Sequence, residues 1–382
     1  MWATAVGLCG VAPVVLALYL RKREVKSKLL LNPKDTRMKK IIKDCKGAVH
    51  ETYKAPWWCC NSWLNVAVML FKQKWQKGSL PLHRRSIDRP DGGLVSVDYA
   101  MDEVTQSLPS DAPVLGILHT ITGSSWDHAG FMLYAANRGW RSCVLNRRGH
   151  SGMPLRVPSF SILGNIDDTV AMVENIRENH PNSFIALAGI SAGSGQVVSY
   201  IGREGSKTPI GAAASLCPAW DIRKSWHILR DLYPKIDGYL ARLVRSYFIE
   251  KDHNAPALAS MPDAVADTRR AQTFDEFMQA AVPFAGCSSM EQYYKENNPM
   301  EFALGNKTPT LVLNALDDFL CVKENINLDL LDQGFNYALM VTDEGSHIGF
   351  TEGTWGQGNF MWRVSMDFFD AVREDTRVLV DS

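Results

Sequence analysis

Short apolar runs bounded by turn residues alternate with amphipathic stretches through most of the chain. Pro113 to Leu118, Ser142 to Leu145, Ser183 to Leu187, Ile210 to Leu216, Thr310 to Asn314 and Asn336 to Val341 read as buried strands. Asp127 to Asn137, Ile166 to Glu178 and Phe360 to Val372 carry the helical period between and after them. His83 to Ile87 and Leu94 to Tyr99, joined through Pro90-Asp91-Gly92-Gly93, predict a hairpin. Strands alternating with helices predict an α/β fold with a mostly parallel central sheet covered on both faces. From about residue 218 to 300 the alternation stops and the sequence is helix-like. That interruption reads as a helical lid over the carboxyl edge of the sheet, where ligands bind in such folds.

The first residues carry a different pattern. Trp2 to Leu20 holds no charged residue and ends at Arg21-Lys22-Arg23-Glu24-Val25-Lys26-Ser27-Lys28. This predicts a retained single transmembrane helix, with the basic cluster and the bulk of the protein on the cytosolic side. The sequon Asn306-Lys307-Thr308 points weakly the other way. Ala55 to Phe71 is apolar and rich in tryptophan, and is followed by Lys72-Gln73-Lys74-Trp75-Gln76-Lys77. It fits the headgroup layer of a membrane, where rings with one polar edge are satisfied. It fits equally an arm packed on the catalytic domain, and the two do not exclude each other. The expected organisation is an anchor (1–20), a membrane-proximal arm (21–80), a core (81–217 with 301–382) and a lid (218–300).

Composition narrows the picture little. With 382 residues, 46% of them hydrophobic, one large domain with insertions can be stabilised. Lys plus Arg and Asp plus Glu both number 41, so nothing argues for nucleic acid. The eight cysteines are scattered without zinc-ligand spacing, and are expected to be reduced. No metal or organic cofactor is expected.

The chemistry gathers around Ala188-Gly189-Ile190-Ser191-Ala192-Gly193-Ser194-Gly195, between the predicted strand at 183–187 and a helical continuation. A strand that turns into a helix around G-x-S-x-G holds its serine outward as a nucleophile. A Cβ at Gly189 or Gly193 would collide with backbone in so tight a turn. A serine needs a base, and the base an orienting acid, in the order Ser, Asp or Glu, His. His347 is the only histidine after His253, so it is the expected base. Asp317 and Asp318 follow the strand at 310–314, and Asp317, nearer the strand end, is preferred. Ala192 is expected to supply one oxyanion N–H. Ile121, with Thr120 next, is expected to supply the other from the loop after the strand at 113–118. Arg147-Arg148, on another loop of the same edge, is read as a solvated or internally paired turn.

From about Pro56 to near the C-terminus the sequence resembles the α/β-hydrolase branch containing abhydrolase-domain proteins 1 and 3 and the bacterial YheT-type hydrolases. The resemblance is carried by the Trp57-Trp58 arm, Pro90-Asp91-Gly92-Gly93, Thr122-Gly123-Ser124, Asn146-Arg147-Arg148-Gly149 and Thr273-Phe274-Asp275-Glu276-Phe277. It continues through Tyr293-Tyr294, Asn314-Ala315-Leu316-Asp317-Asp318 and Ser346-His347-Ile348-Gly349-Phe350. It implies an α/β-hydrolase fold, a charge relay of Ser191, Asp317 and His347, an N-terminal membrane anchor, and cleavage or transfer of lipid acyl esters, phospholipids first. The chain departs from the usual pattern at Thr120, where many hydrolases have glycine, and at Ala192-Gly193-Ser194, which replaces Met-Gly-Gly. The expected function is therefore a membrane-anchored serine hydrolase of lipid esters. Acyl transfer to an alcohol is the alternative within that chemistry, and a catalytically silent scaffold the alternative outside it. Head group, chain length and oligomeric state are not set by the sequence.

Overall fold

The computed structural model describes residues 22 to 381 apart from 46, 48 and 51. The predicted transmembrane segment lies outside the described residues, among which no helix is long and apolar enough to cross a membrane.

Nine strands form the central sheet: β1 (Ser27–Leu31), β2 (Leu82–Asp88), β3 (Leu94–Ala100), β4 (Val114–Leu118), β5 (Arg141–Asn146), β6 (Ile185–Ile190), β7 (Ala212–Leu216), β8 (Thr310–Ala315) and β9 (Tyr337–Thr342). Their order is β1-β9-β8-β7-β6-β4-β5-β3-β2. The six neighbours from β9 to β5 run parallel, and the antiparallel pairs lie towards the two edges. The hairpin and every strand expected from the apolar runs are present. The strand before the elbow is longer than its apolar run, because Gly189 and Ile190 continue it into the turn. β1 comes from the arm rather than the core: Ser27 to Leu31 pairs with β9. Part of the basic cluster is likewise structural, since Lys22–Val25 pairs with Tyr53–Pro56 and Arg23 makes a two-pronged ion pair with Glu344 at 2.6 and 2.7 Å.

Helices α1 (Thr36–Asp44), α2 (Ser62–Gln76), α3 (Ala129–Ala136), α4 (Ile166–Asn179) and α5 (Ala192–Glu204) precede the interruption. α6 (Ile222–Leu232), α7 (Pro234–Val244), α8 (Pro262–Arg270), α9 (Phe274–Ala281) and α10 (Met290–Asn297) make it up, and α11 (Phe360–Asp381) closes the chain.

Alternate residues of one strand face opposite layers, as a doubly covered sheet requires. On β4, Leu115 and Ile117 pack with Met38 and Ile41 of α1, Phe131 of α3, and Val364 and Phe368 of α11. Val114 and Leu118 point the other way, into Ile176 of α4 and Val197 of α5. Each fully buried aliphatic contributes about 1.5–3 kcal/mol. The interrupting segment has its own core, in which Trp226, Val244, Phe274 and Phe277 join Leu155, Phe160 and Ile162 from the loop after β5. Phe160 stacks on Phe248 at 4.5 Å and on Phe284 at 5.0 Å. The sequon asparagine is unavailable in the folded chain: Asn306 is buried and its side-chain amide donates to the Thr308 carbonyl and to Thr310.

Candidate active site

The site is built where β6 ends. Ser191 has φ +56° and ψ −116°, a conformation costly for a residue with a Cβ and sustained only by its surroundings. The surroundings explain it: a Cβ on Gly189 would lie 2.1 Å from the Gly193 carbonyl oxygen, and one on Gly193 2.2 Å from that of Leu118. Strand, turn and helix thus meet at backbone contact distance. The Ser191 amide donates to the Leu216 carbonyl, and its own carbonyl accepts from the Ser194 amide at 3.0 Å and from the Ser194 hydroxyl. Ser194 thus pins the turn.

His347 comes from the loop after β9. Its Nε2 lies 2.7 Å from Ser191 Oγ. The loop is contorted, with Ser346, Ile348 and Phe350 all at positive φ (59°, 59° and 43°), a rare state for a β-branched or aromatic residue. It is held from outside by α2, whose Asn65 is buried and accepts from the Thr351 amide.

The acid is corrected by the structure. Asp318, not Asp317, holds the imidazole: His347 Nδ1 lies 2.9 Å from Asp318 Oδ2. Asp318 Oδ1 meanwhile accepts from the Leu320 and Cys321 amides, both at 2.8 Å, so one carboxylate caps the following turn and orients the histidine. The reason is the turn after β8. Asp318 N–H bonds back to the Ala315 carbonyl, exposed Leu316 takes the crest, and the second aspartate rather than the first is aimed inward. Asp317 accepts from the Ser346 amide and the Ser62 hydroxyl, both at 2.7 Å, tying the histidine loop to the start of α2. Burial pushes its carboxyl above the usual range, against those two hydrogen bonds.

Ala192 and Ile121 both line the cleft over Ser191, and the side chains of both pack beneath the core of the interrupting helices. The carbonyl of the Thr120–Ile121 peptide is held by residues that sequence reasoning left out of the site. The buried Arg147 guanidinium donates to the Thr120 carbonyl at 2.5 Å, and His119 Nδ1 lies 2.9 Å from the same oxygen. In a trans peptide the next N–H points the opposite way. His150 Nε2 faces the Ile121 carbonyl and its Nδ1 the Arg148 carbonyl, both at 3.0 Å; a neutral ring donates to one of them. Burial and the Arg147 charge push His150 down to about 3, and burial, then Arg147, push His119 well below its usual value. Burial lowers Arg147 itself to about 10. Arg148, in contrast, is paired with Asp168 and Asp91. The turn is internally paired as expected, yet only half of it by carboxylates. The signal for the other half was the density of ionisable residues in Asn146-Arg147-Arg148-Gly149-His150, at the end of a strand on the active edge.

The rest of the cleft is apolar but for Ser225: Leu163, Ala219, Trp226, Leu229, Leu240, Phe274 and Leu320 line it with Ser191 and His347. Cys217, Asp318 and His347 bring potential metal-binding atoms within 4.8 Å of one another. Burial drives the Cys217 thiol well above its usual pKa, and Asp318 and His347 are hydrogen-bonded to each other.

A family model described as "Serine aminopeptidase, S33" (Hydrolase_4) matches residues 110–347, more than half of the chain. Mouse "Phospholipase ABHD3" is 29% identical over 343 residues, covering 88% of this chain and 82% of its own. "Monoacylglycerol lipase" of Saccharomyces cerevisiae is 25% identical over 262 residues (66% of this chain, 58% of its own). "Putative esterase YheT" of Escherichia coli is 26% identical over 274 residues (70% and 78%). The chain therefore belongs to the Hydrolase_4 family and is an α/β-hydrolase of the abhydrolase-domain kind, as its motifs predict.

Proposed function

We propose that this carboxylic ester hydrolase cleaves acyl esters of lipids, glycerophospholipids first among them, through Ser191, His347 and Asp318. The observation that carries the reading is the chain of contacts at 2.7 and 2.9 Å from Ser191 Oγ through the imidazole to Asp318, opening into an apolar cleft. Names of relatives, a phospholipase and a monoacylglycerol lipase, support the lipid class.

In this reading Ser191 Oγ attacks the acyl carbonyl while its proton passes to His347 Nε2. Asp318 accepts the Nδ1–H and stabilises the imidazolium. The Ala192 and Ile121 amides receive the developing oxyanion. Collapse breaks the ester bond, and the leaving lysolipid alcohol takes the imidazolium proton. Water, deprotonated by Nε2, then attacks the acyl-enzyme and releases the fatty acid, restoring Ser191. The scheme requires no metal or organic cofactor. The uncharged stretch Trp2–Leu20 would anchor the protein in a membrane, with the catalytic domain on the cytosolic side.

The test is product analysis with phosphatidylcholine. Fatty acid and lysophospholipid are expected in equal amounts from the wild type and neither from Ser191→Ala; release undiminished in Ser191→Ala overturns the assignment. If an added alcohol collects the acyl group in place of water, the reaction is transfer.

A further inference from the structure

α2 turns a stripe of large apolar side chains outward. Of its fifteen residues only Asn65 is buried, and Asn65 is polar. The exposed positions are Trp63, Ala67, Leu70, Phe71, Lys74 and Trp75, spaced i, i+4, i+7, i+8, i+11 and i+12. That is one continuous helical face. Trp63, Leu70, Phe71 and Trp75 are 60%, 55%, 64% and 78% exposed, so an apolar stripe meets solvent while Asn65, on the other side, holds the histidine loop. Such a stripe on a described surface needs a partner.

We propose that this face of α2 is where the catalytic domain lies on a phospholipid bilayer with anionic headgroups. Three observations favour a bilayer. First, residues 52 to 87 contain no Asp or Glu, and Lys74 and Lys77 are exposed in and just beyond the last turn of α2. A second copy of this chain docked by the same face would set those charges against each other, whereas anionic headgroups neutralise them. Second, aromatic rings flanked by lysines are the chemistry of the interfacial layer. Third, Lys22, which follows the uncharged stretch Trp2–Leu20 in sequence, is in register with Pro56, six residues before Ser62. The stripe also reaches the active edge, since Trp63 stacks on Phe319 at 4.2 Å, between Asp318 and the cleft residue Leu320. Docking on α2 would bring the cleft alongside the lipid surface from which the proposed substrate must be drawn. This extends the lipid-ester reading, but the docking itself is testable without catalysis.

The experiment uses the full chain reconstituted in vesicles of phosphatidylcholine with phosphatidylserine, part of the acyl chains brominated. Trp75→Phe is expected to remove an emission component that brominated lipid quenches in the wild type. Leu70→Ser/Phe71→Ser/Trp75→Ser is expected to hydrolyse a soluble short-chain ester within about two-fold of the wild type, because these side chains touch nothing in the cleft. It should attack vesicle phospholipid at least about ten-fold more slowly. Lys74→Glu/Lys77→Glu should weaken the wild-type quenching only where phosphatidylserine is present. Trp75 emission indifferent to brominated lipid overturns the proposal, as does a sedimentation result in which the lipid-free chain already buries Trp75 in a dimer or beneath its own N-terminal segment. A wild type that is quenched but cleaves no phospholipid leaves the docking standing and sinks the substrate reading instead.

Discussion

The loops along the carboxyl edge of the sheet and the helices above them enclose one cleft, but different forces hold them. At the edge the backbone is strained and over-determined. Ser191, Cys217, Ser346 and Ile348 sit at positive φ, Gly189 and Gly193 leave no room for a methyl group, and carbonyls are pinned by buried Arg147, His119 and His150. In the lid, order comes from rings packed on rings, as in Phe160 with Phe248 and Phe284 or Trp226 against Phe274. Hydrogen-bond positions are satisfied or lost, whereas packed apolar side chains trade volume with their neighbours. The comparison teaches where each kind of order resides: at the edge in backbone contacts that tolerate little, and in the helical layer in packed rings that can be re-cut.

The largest effect that sharpens this contrast separates the two aspartates. Asp318→Asn is expected to lower kcat by about 10³- to 10⁴-fold, since the imidazole loses its orienting charge. Asp317→Asn, which loosens only the Ser346 and Ser62 contacts, is expected to cost less than about ten-fold with a lowered Tm. Equal losses in a steady-state comparison would mean that the edge does not discriminate as described.

Arg147→Met comes next. Among the described residues its charge has no carboxylate partner in contact, so the fold should survive, while the Thr120 carbonyl loses the guanidinium that holds the Thr120–Ile121 peptide. A fall in kcat of about ten- to one hundred-fold with KM little changed is expected. In the lid, Trp226→Ala should move KM for long acyl chains by about three- to ten-fold and leave kcat on a short-chain ester nearly untouched. A reversed pattern across this pair would break the division between edge and lid.

The last effect leaves turnover aside and concerns stability against pH. His150, near 6.5 when unfolded and about 3 when folded, leaves the unfolded state holding the extra proton between those values. Stability is therefore complete above about pH 6.5 and declines as pH falls, by about 1.4 kcal/mol per unit per histidine. His119 adds in the same direction. His150→Gln should flatten the slope of unfolding free energy between pH 6 and 4 by about one proton in urea titrations.

Much of the edge was legible in the sequence because each strand ends in its own chemistry: the elbow after β6, the aspartates after β8, His347 after β9. The choice between Asp317 and Asp318 was not, because it turns on one hydrogen bond from Asp318 N–H to Ala315 and on the direction the chain takes at Leu316. Arg147 and His150 were visible as an ionisable cluster, yet their role depends on carbonyls that a motif does not carry. The helices between Ile222 and Asn297 follow from the loss of strand pattern, while their packing partners Leu155 to Ile162 come from a loop far away in sequence. β1 hid in the basic cluster, and Ser62 and Asn65 in a tryptophan-rich stretch whose outward face drew the eye.

The central claim, a lipid-accepting cleft over one activated serine, is tested most directly by labelling the full chain with a long-chain alkyl fluorophosphonate and mapping the adduct by mass spectrometry. One equivalent on the peptide containing Ser191, competed by phosphatidylcholine and absent in Ser191→Ala, is the predicted result. An adduct that persists in Ser191→Ala, or one indifferent to phospholipid, would contradict it.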